Sequence, residues 1–479
     1  MSPLPLRRSV SSPVWSLLAA SLAVACSGEA PAQRPNVLLI TLDTTRADHL
    51  SCYDPTRETT PNIDAVAADG VRFAEAISTA GITPMSHSSI LTGLNNYRHG
   101  MRVFHSEEVS HRLKQSVDTL PEYLAPRGWR TAAFVSAYPL SPVYGLDQGF
   151  QTFDMGIDVD QLDLTEQQHH ETNFFDGEKS STQRRGDATM TAALGWLDSL
   201  EPSDPWCLWV HMFDVHDFSL VPPAAFAARF GIEYDPAIGA QDVEWRERMY
   251  DPELAFMDLQ IGRVMDWLRA KGELDRTIVV ITADHGQGLI DGGTRHSWVK
   301  HRLIYDWSIH VPLVMRLPDE PKAVVVQPLV RTIDILPTVL EALDIPSPGI
   351  DGRSLIPLMR GQADPPRVAY ADALNLYDTY SPRKWKDEYN DNLYVVREER
   401  WKLIWHETKQ QNVELFDLQA DPLELANVAA DHPEEVTRLK QYLDERGAMK
   451  VEPPDASDSS ANTEALKNLG YADDARDDG

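Results

Sequence analysis

Two strongly apolar runs of strand length, residues 36–42 and 277–282, stand out along the chain, and polar residues follow the first run directly and the second run after Ala283. Further strand candidates lie at residues 131–136 and 207–213, and residues 187–200 between them carry apolar side chains at helical spacing. A run that is apolar on both faces is typical of a parallel strand covered by helices. The pattern predicts an α/β fold, a three-layer α/β/α sandwich with a mostly parallel central sheet.

The pattern changes near residue 365. We expect residues 33–364 to form the main domain, in which the polar stretch 158–185 lacks periodicity and is typical of a loop at the rim of a site. Beyond this point, residues 392–397 and 401–405 are typical of antiparallel strands. Residues 365–479 are therefore expected to form a smaller α+β subdomain that ends in an acidic tail.

The first 32 residues have the features of a signal peptide and a linker. Arg7 and Arg8 precede a short apolar stretch, residues 14–25, which ends in small residues and is too short to span a membrane. Two processing routes stay open: lipid attachment at Cys26, or cleavage after residues 30–32. We expect an exported bacterial protein, either periplasmic or a membrane-anchored lipoprotein whose membrane contact is a lipid anchor at Cys26.

The net charge of the chain limits which ligands it can bind, and its cysteines leave two redox states open. The formal net charge of −29 argues against nucleic-acid binding, which requires a basic surface. It does not exclude an anionic ligand in a local, metal-bearing pocket. Besides Cys26 the chain has Cys52 and Cys207, which either pair in an oxidising compartment or remain free thiols.

Polar residues with metal-binding groups follow both long apolar runs. Asp43 comes directly after the first run, and Asp284 and His285 come shortly after the second. Because parallel strands place their carboxyl ends at one edge of the sheet, these three side chains can converge on one cation. An aspartate after a strand also commonly supports a turn. The repeated arrangement favours the metal site.

Many short segments, in one order along the chain, resemble the sulfatase family of the alkaline-phosphatase-like superfamily. They are Arg34 to Asp43, Thr83 to Gly93, Arg98 to Gly100, His211 to His216, Thr282 to Gly286, Tyr305 to Pro312, Asp334 to Thr338, Asp351 to Leu355, and Leu415 to Leu418 with Asp421 and Pro422. The resemblance implies a metal-dependent ester hydrolase, with residues 33–364 as its catalytic domain and an anionic ester as its substrate.

The chain departs from the sulfatase pattern at the metal. The family usually has a second aspartate where this chain has Thr44, and often an asparagine where it has His285. The family resemblance implies one divalent ion, usually calcium. Replacing an anionic oxygen ligand and adding a nitrogen ligand favours zinc or manganese instead.

A larger departure concerns the nucleophile. Sulfatases place a cysteine or serine, matured to formylglycine, where this chain has Thr83, and an arginine where it has His87. A threonine cannot become that aldehyde, so the residue chemistry favours phosphoryl transfer through a Thr83 hydroxyl that also touches the metal. His87 would bind the anion or shuttle a proton. The alternative role for Thr83 is that of a helix cap, for which Ser86 competes.

Other polar residues complete the predicted site. His216 is the candidate acid for the leaving group. His211 and Asp214 beside it are expected to bind the substrate, although alternation along a strand predicts that these two side chains point to opposite faces. The resemblance implies that the substrate anion is bound near Tyr305. The residues assigned there are His296, Lys300 and His301.

Three functions fit these residues. The first is hydrolysis of a sulfate or phosphate ester through Thr83. The second is a phosphodiesterase or phosphoryl-type transferase of the same superfamily, and the transferase would pass the group to an alcohol. The third is a non-catalytic protein that binds anions or glycans, against which the complete metal set Asp43, Asp284 and His285 argues.

Overall fold

A nine-stranded sheet runs through the main part of the molecule. The computed structural model describes residues 34–156, 183–202, 204–216, 221–233, 243–289, 301–378 and 390–454. In chain order its strands are β1 (Asn36–Leu42), β2 (Val71–Ile77), β3 (Arg130–Phe134), β4 (Thr152–Asp154), β5 (Trp206–Met212), β6 (Thr277–Ala283), β7 (His310–Arg316), β8 (Val324–Val326) and β9 (Val330–Arg331). Their spatial order is β4-β3-β5-β1-β6-β7-β2-β8, and β9 also pairs with β2.

The sheet is mostly parallel. Strand β7 runs antiparallel to β6 and β2, and the other described pairs of this sheet are parallel. The predicted α/β fold with a mostly parallel central sheet is thereby confirmed. Two long apolar runs, β1 and β6, lie side by side near its centre, where burial on both faces explains why they lack polar alternation.

Helices cover both faces of this sheet. The α-helices of the described residues are α1 (Pro61–Ala68), α2 (Thr83–Thr92), α3 (Asn96–His99), α4 (Leu120–Leu124), α5 (Gly186–Asp198), α6 (Ala224–Arg229), α7 (Val243–Lys271), α8 (Asp306–Ile309), α9 (Ile335–Ala342), α10 (Ile356–Met359) and α11 (Pro433–Arg446), and the last of these packs against the C-terminal part instead. Val37 and Leu39 of β1 belong to a core shared with α2 and α9. Leu38 and Ile40 belong to a core shared with α1, α5 and α7. Alternate residues of one strand thus serve two cores, as a three-layer fold requires.

A second, antiparallel sheet lies in the C-terminal part. Its strands are β10 (Ala369–Leu374), β11 (Asn392–Arg397), β12 (Trp401–His406) and β13 (Glu414–Asp417), in that spatial order. The fully buried Lys402 of β12 ties this sheet to α8, since its ammonium lies 2.8 Å from Asp306 and 2.6 Å from Glu424. The domain boundary at residue 365 stays a prediction.

The register of the central strands places their ends together. Leu42 of β1 pairs with Met212 of β5 on one side and with Ala283 of β6 on the other. The residues that follow these three therefore emerge at one edge of the sheet.

Among the described residues, no helix has the length and apolarity needed to cross a membrane. The predicted signal peptide and Cys26 lie outside the described residues.

Candidate active site and metal centre

Three buried metal-binding groups meet where β1 and β6 end. Asp43 follows Leu42, and Asp284 and His285 follow its neighbour Ala283. One ligand atom from each of Asp43, Asp284 and His285 lies within 4.8 Å of the others. All three side chains are almost completely buried. The fold therefore brings together the residues that the sequence assigned to a metal.

These groups suit a cation. Among the described residues, Asp43 Oδ1 and Asp284 Oδ2 are buried without a hydrogen-bond partner. Burial raises the pKa of Asp43 to about 7 and also raises the pKa of Asp284, because a carboxylate in an apolar interior loses its hydration. Two buried carboxylates beside an imidazole are stable together when a divalent cation neutralises them. The donor set therefore fits one such ion.

Hydrogen bonding fixes which nitrogen of His285 faces the carboxylates. Nδ1 lies 2.9 Å from the carbonyl oxygen of Gly286 and donates its proton there. Nε2 then presents its lone pair towards Asp284 Oδ2, 3.5 Å away. A backbone carbonyl that orients a ligating histidine in this way is a common feature of metal sites.

Thr83 stands at the start of α2 and next to the metal-binding groups. Its hydroxyl lies 3.3 Å from Asp43 Oδ2 and 3.5 Å from His285 Nε2. Pro84 is tolerated in this first turn, where a backbone N–H has no helical partner. The helix is buried along its length and ends at Gly93, whose φ of +66° suits glycine. The positive end of a buried helix thus faces the carboxylate cluster.

His87 lies one helical turn after Thr83. Its Nδ1 donates to the Thr83 carbonyl oxygen at 2.8 Å, and its Nε2 lies 3.0 Å from the Thr41 hydroxyl. Burial lowers its pKa to about 3, so the ring is neutral. Both ring nitrogens are used within the fold in this arrangement. The anion-binding or proton-shuttling role of His87 stays a prediction that would require one of these bonds to open.

His211 extends the cluster from β5. Its Nε2 lies 3.1 Å from Asp43 Oδ2, while its Nδ1 accepts from the Ser136 backbone N–H at 3.4 Å. The Ser136 hydroxyl also donates to the His211 carbonyl oxygen at 2.7 Å. Burial lowers the pKa of His211 to about 4. A neutral His211 therefore carries its proton on Nε2 and donates it to Asp43.

Asp214 faces away from the cluster. Both of its carboxylate oxygens accept from the Gly186 backbone N–H, at 3.1 and 3.0 Å, at the start of α5. This direction agrees with the alternation expected between His211 and Asp214, and the substrate-binding role of Asp214 stays a prediction. His216 stacks on Phe213 with ring centroids 4.1 Å apart, and burial lowers its pKa to about 3.

The side chains of the three residues predicted to bind the anion near Tyr305 lie outside the part of the chain that the structure describes. His296 and Lys300 lie outside the described residues, as does most of the polar stretch 158–185. The backbone of His301 begins a short 3₁₀ helix, residues His301–Leu303, and its side chain is likewise outside the description. Their roles remain predictions.

Sequence reasoning missed three residues that support the site. Trp209 donates from Nε1 to the Thr41 hydroxyl at 2.9 Å and so fixes the partner of His87. Ser136 orients His211, and Tyr250 binds the backbone of the turn after Asp43 at 2.7 Å. Ser136 ends a predicted strand, which is a weak signal. Trp209 and Tyr250 lie within apolar patterns that indicate only burial.

Comparison with known proteins identifies the family. A family model described as Sulfatase matches residues 35–345, and one described as N-sulphoglucosamine sulphohydrolase, C-terminal, matches residues 294–449. The chain is 22% identical to N-acetylglucosamine-6-O-sulfatase of Bacteroides thetaiotaomicron over 86% of each chain. It is 23% identical to choline-sulfatase of Rhizobium meliloti, over 91% of this chain and 92% of the relative.

A solved structure shares the fold. The phosphonate monoester hydrolase of Agrobacterium radiobacter superposes with a TM-score of 0.62 at 23% identity, over 87% of this chain and 96% of that one. The sulfatase model alone covers more than half of the 479 residues. The chain therefore belongs to the sulfatase family and is a hydrolase of ester bonds.

Proposed function

We propose that this protein hydrolyses an anionic ester through a covalent adduct on Thr83, assisted by one divalent ion. The observation that carries the proposal is the position of the Thr83 hydroxyl, 3.3 Å from Asp43 Oδ2 and 3.5 Å from His285 Nε2. A hydroxyl at the start of a buried helix and beside metal-binding groups has the surroundings that an alcohol nucleophile needs.

Asp43, Asp284 and His285 would hold the ion, with Thr83 as a neighbouring oxygen donor. When bound, the ion neutralises the ester oxygens and lowers the pKa of the attacking hydroxyl. An imidazole in a set with only two carboxylates favours zinc or manganese over calcium, which prefers six or more oxygen ligands.

The chemistry proceeds in two displacements. Thr83 Oγ1 attacks the phosphorus or sulfur atom, its proton passes to the neighbouring carboxylate of Asp43, and the bond to the leaving alcohol oxygen breaks. His216, the candidate acid, supplies a proton to that oxygen, and it must bind this proton as the substrate arrives because burial lowers its pKa to about 3. Water then attacks the Thr83 adduct and gives one proton to His216, while Asp43 returns its proton to Thr83 Oγ1 as the bond between Oγ1 and the phosphorus or sulfur atom breaks.

The substrate class follows from the nucleophile. A formylglycine adduct releases sulfate by elimination, whereas a threonine adduct must be hydrolysed by water. Phosphoryl-threonine suits this route better as an intermediate than sulfated threonine does. Relatives include both sulfatases and a phosphonate monoester hydrolase. We therefore place an ester of phosphorus ahead of a sulfate ester for this chain, on a small molecule, glycan or lipid.

Parallel assays of an aryl sulfate, an aryl phosphate monoester, an aryl phosphonate and an aryl phosphodiester test this proposal. Thr83→Ala should lower the turnover of the best substrate on the order of a thousandfold or more. Ser86→Ala is the matched control, since the Ser86 hydroxyl lies in the same helix and donates to backbone carbonyls. Full activity of Thr83→Ala would refute the nucleophile. A dominant aryl sulfate activity would refute the substrate preference.

We also propose that the protein acts outside the cytoplasm, through export directed by residues 1–32. Support comes from the basic, apolar and small-residue pattern of this segment. Cell fractionation and the mass of the mature chain test the proposal, and Cys26→Ser separates the two processing routes. A lipoprotein should lose its membrane association in this variant, whereas a chain cleaved after Ala32 should be unaffected.

A further inference from the structure

The turn that directly follows Asp43 has an unusual backbone conformation. Thr44, the residue after Asp43, has a φ of +48°. This left-handed region is disfavoured for residues with a branched β-carbon, because that carbon crowds the backbone. Thr44 is fully buried, so no solvent contact explains the conformation. Other contacts must hold the turn in place.

The left-handed turn aims one backbone group at the metal centre. The Thr44 N–H donates to Asp284 Oδ1 at 3.1 Å, and the His285 N–H donates to the same oxygen at 2.7 Å. Asp284 Oδ1 is thereby occupied, and Oδ2 is left as the oxygen without a hydrogen-bond partner. The Thr44 N–H, together with the His285 N–H, thus sets which oxygen of Asp284 is available to a cation.

Tyr250 of α7 bridges this turn. Its hydroxyl donates to the Thr44 carbonyl oxygen at 2.7 Å and accepts from the Arg46 N–H at 2.9 Å. The ring is fully buried and packs edge-on against His49, with centroids 4.7 Å apart. His49 is held in turn by Asp251, 2.6 Å from its Nδ1. The Tyr250 hydroxyl therefore ties the carbonyl of Thr44, the residue with the disfavoured φ, to the N–H of Arg46 two positions later.

We propose that Tyr250 is a positioning residue of the metal centre. Its hydroxyl holds Thr44 in the left-handed conformation, and the Thr44 N–H then sets the orientation of Asp284 before any ion arrives. Without this support the turn relaxes, Asp284 rotates, and an ion must order its own ligand. Loss of such preorganisation weakens binding without removing any ligand. This inference rests on the metal centre proposed above.

Zinc titration of the chelator-stripped full-length protein, by calorimetry and by competition with a chelating indicator, tests the inference. Tyr250→Phe should weaken zinc binding ten- to a hundredfold. Tyr53→Phe is the matched control, because the hydroxyl of the half-buried Tyr53 also bridges two backbone groups, the Phe73 carbonyl and the Leu313 N–H. It should leave zinc affinity unchanged. Urea midpoints of both metal-free variants should fall by similar amounts, which separates positioning from general stability.

Thr44→Gly provides a second, independent variant. Glycine adopts positive φ without a steric penalty, so the turn needs less support from Tyr250. The single variant should bind zinc within about threefold of the wild-type protein, and Tyr250→Phe added to it should cost less than about threefold more. A Tyr250→Phe loss as large in the Thr44→Gly background as in the wild type would overturn the inference.

The outcomes distinguish the two proposals. Stoichiometric zinc binding by the wild-type protein with unchanged affinity in Tyr250→Phe overturns the positioning role alone. Absence of stoichiometric binding by the wild-type protein overturns the metal centre, and the positioning role with it. Weaker binding in Tyr250→Phe, with Tyr53→Phe unchanged and the effect reduced by Thr44→Gly, supports both.

Discussion

Replacing Asp43 by asparagine should stabilise the metal-free protein at neutral and alkaline pH, although it removes a metal ligand. Burial raises the pKa of Asp43 from 3.8 to about 7 in the folded protein. In the unfolded chain this carboxyl ionises near its ordinary pKa, whereas the folded protein keeps it protonated until about pH 7. The folded state therefore binds more protons in this interval, and stability is lost as the pH rises from about 4 through 7.

The size of the effect follows from the shift. A shift of about three pKa units corresponds to about 4 kcal/mol once the pH exceeds 7. At pH 5 only the first part of the titration has occurred, and the penalty is about 1.5 kcal/mol. Asparagine is neutral at both pH values. The stabilisation by Asp43→Asn should therefore be larger at pH 8 than at pH 5 by about 2 to 3 kcal/mol.

Urea unfolding in the presence of a chelator, at pH 5 and pH 8, measures this difference. Asp214→Asn is a matched control, since burial also raises the pKa of Asp214 to about 7 while its carboxylate binds Gly186 rather than the metal cluster. Both variants should show the same dependence on pH. With saturating zinc, only Asp43→Asn should lose the stabilisation that the ion gives, about 3 kcal/mol at a hundred times Kd.

Two results would refute this reasoning. An Asp43→Asn stabilisation of equal size at pH 5 and pH 8 would show that Asp43 does not carry the raised pKa. Zinc stabilisation of Asp43→Asn as large as that of the wild-type protein would show that Asp43 is not a metal ligand.

Three further predictions concern other parts of the chain. Lys402→Met should lower the free energy of unfolding by about 3 to 5 kcal/mol in urea titrations, because Glu424 would lose its buried counterion and Asp306 would keep only Arg397; a loss below about 1 kcal/mol would contradict this. Gly286→Ala should weaken zinc binding, measured by indicator competition, because a β-carbon would lie 2.2 Å from the Trp307 carbonyl oxygen, whereas Gly195→Ala meets no atom within 4 Å and should have no effect. In the folded protein Cys207 is buried and Cys52 half-buried, both as free thiols, and burial raises the pKa of each to about 12. Both should react slowly with a thiol reagent until denaturant is added, and rapid reaction of Cys207 in the native protein would contradict its burial.

The long buried elements could be predicted from the sequence. The runs at residues 36–42 and 277–282 became β1 and β6 with at most one residue of difference, because burial on both faces leaves an uninterrupted apolar signal. Strands β2 and β7 were not predicted. Residues Arg72 and Glu75 interrupt the first of these, and Pro312 lies inside the second. Their pairing with each other depends on contacts that a local pattern does not encode.

The site could be predicted only where its residues adjoin a recognisable element. Asp43, Asp284 and His285 follow two buried strands, so the topology of a parallel sheet brings them together. The hydroxyl of Tyr250 reaches Thr44 across 206 positions of the chain, and no local pattern marks that contact. The separation of Asp214 from His211 was expected from alternation along β5, although its partner Gly186 was not.

The long sequence separation between the two metal-binding carboxylates also affects when a metal ion can bind during biosynthesis. Thr44 and Asp284, which meet at the strand ends, are separated by 240 positions. A nascent chain in which β6 has not yet been synthesised holds only one of the two carboxylates, so its metal site is incomplete. Metal loading is then a late event that reports assembly of the central sheet. The ion supply of the compartment in which folding finishes, rather than that of the ribosome's surroundings, would decide which metal the enzyme acquires.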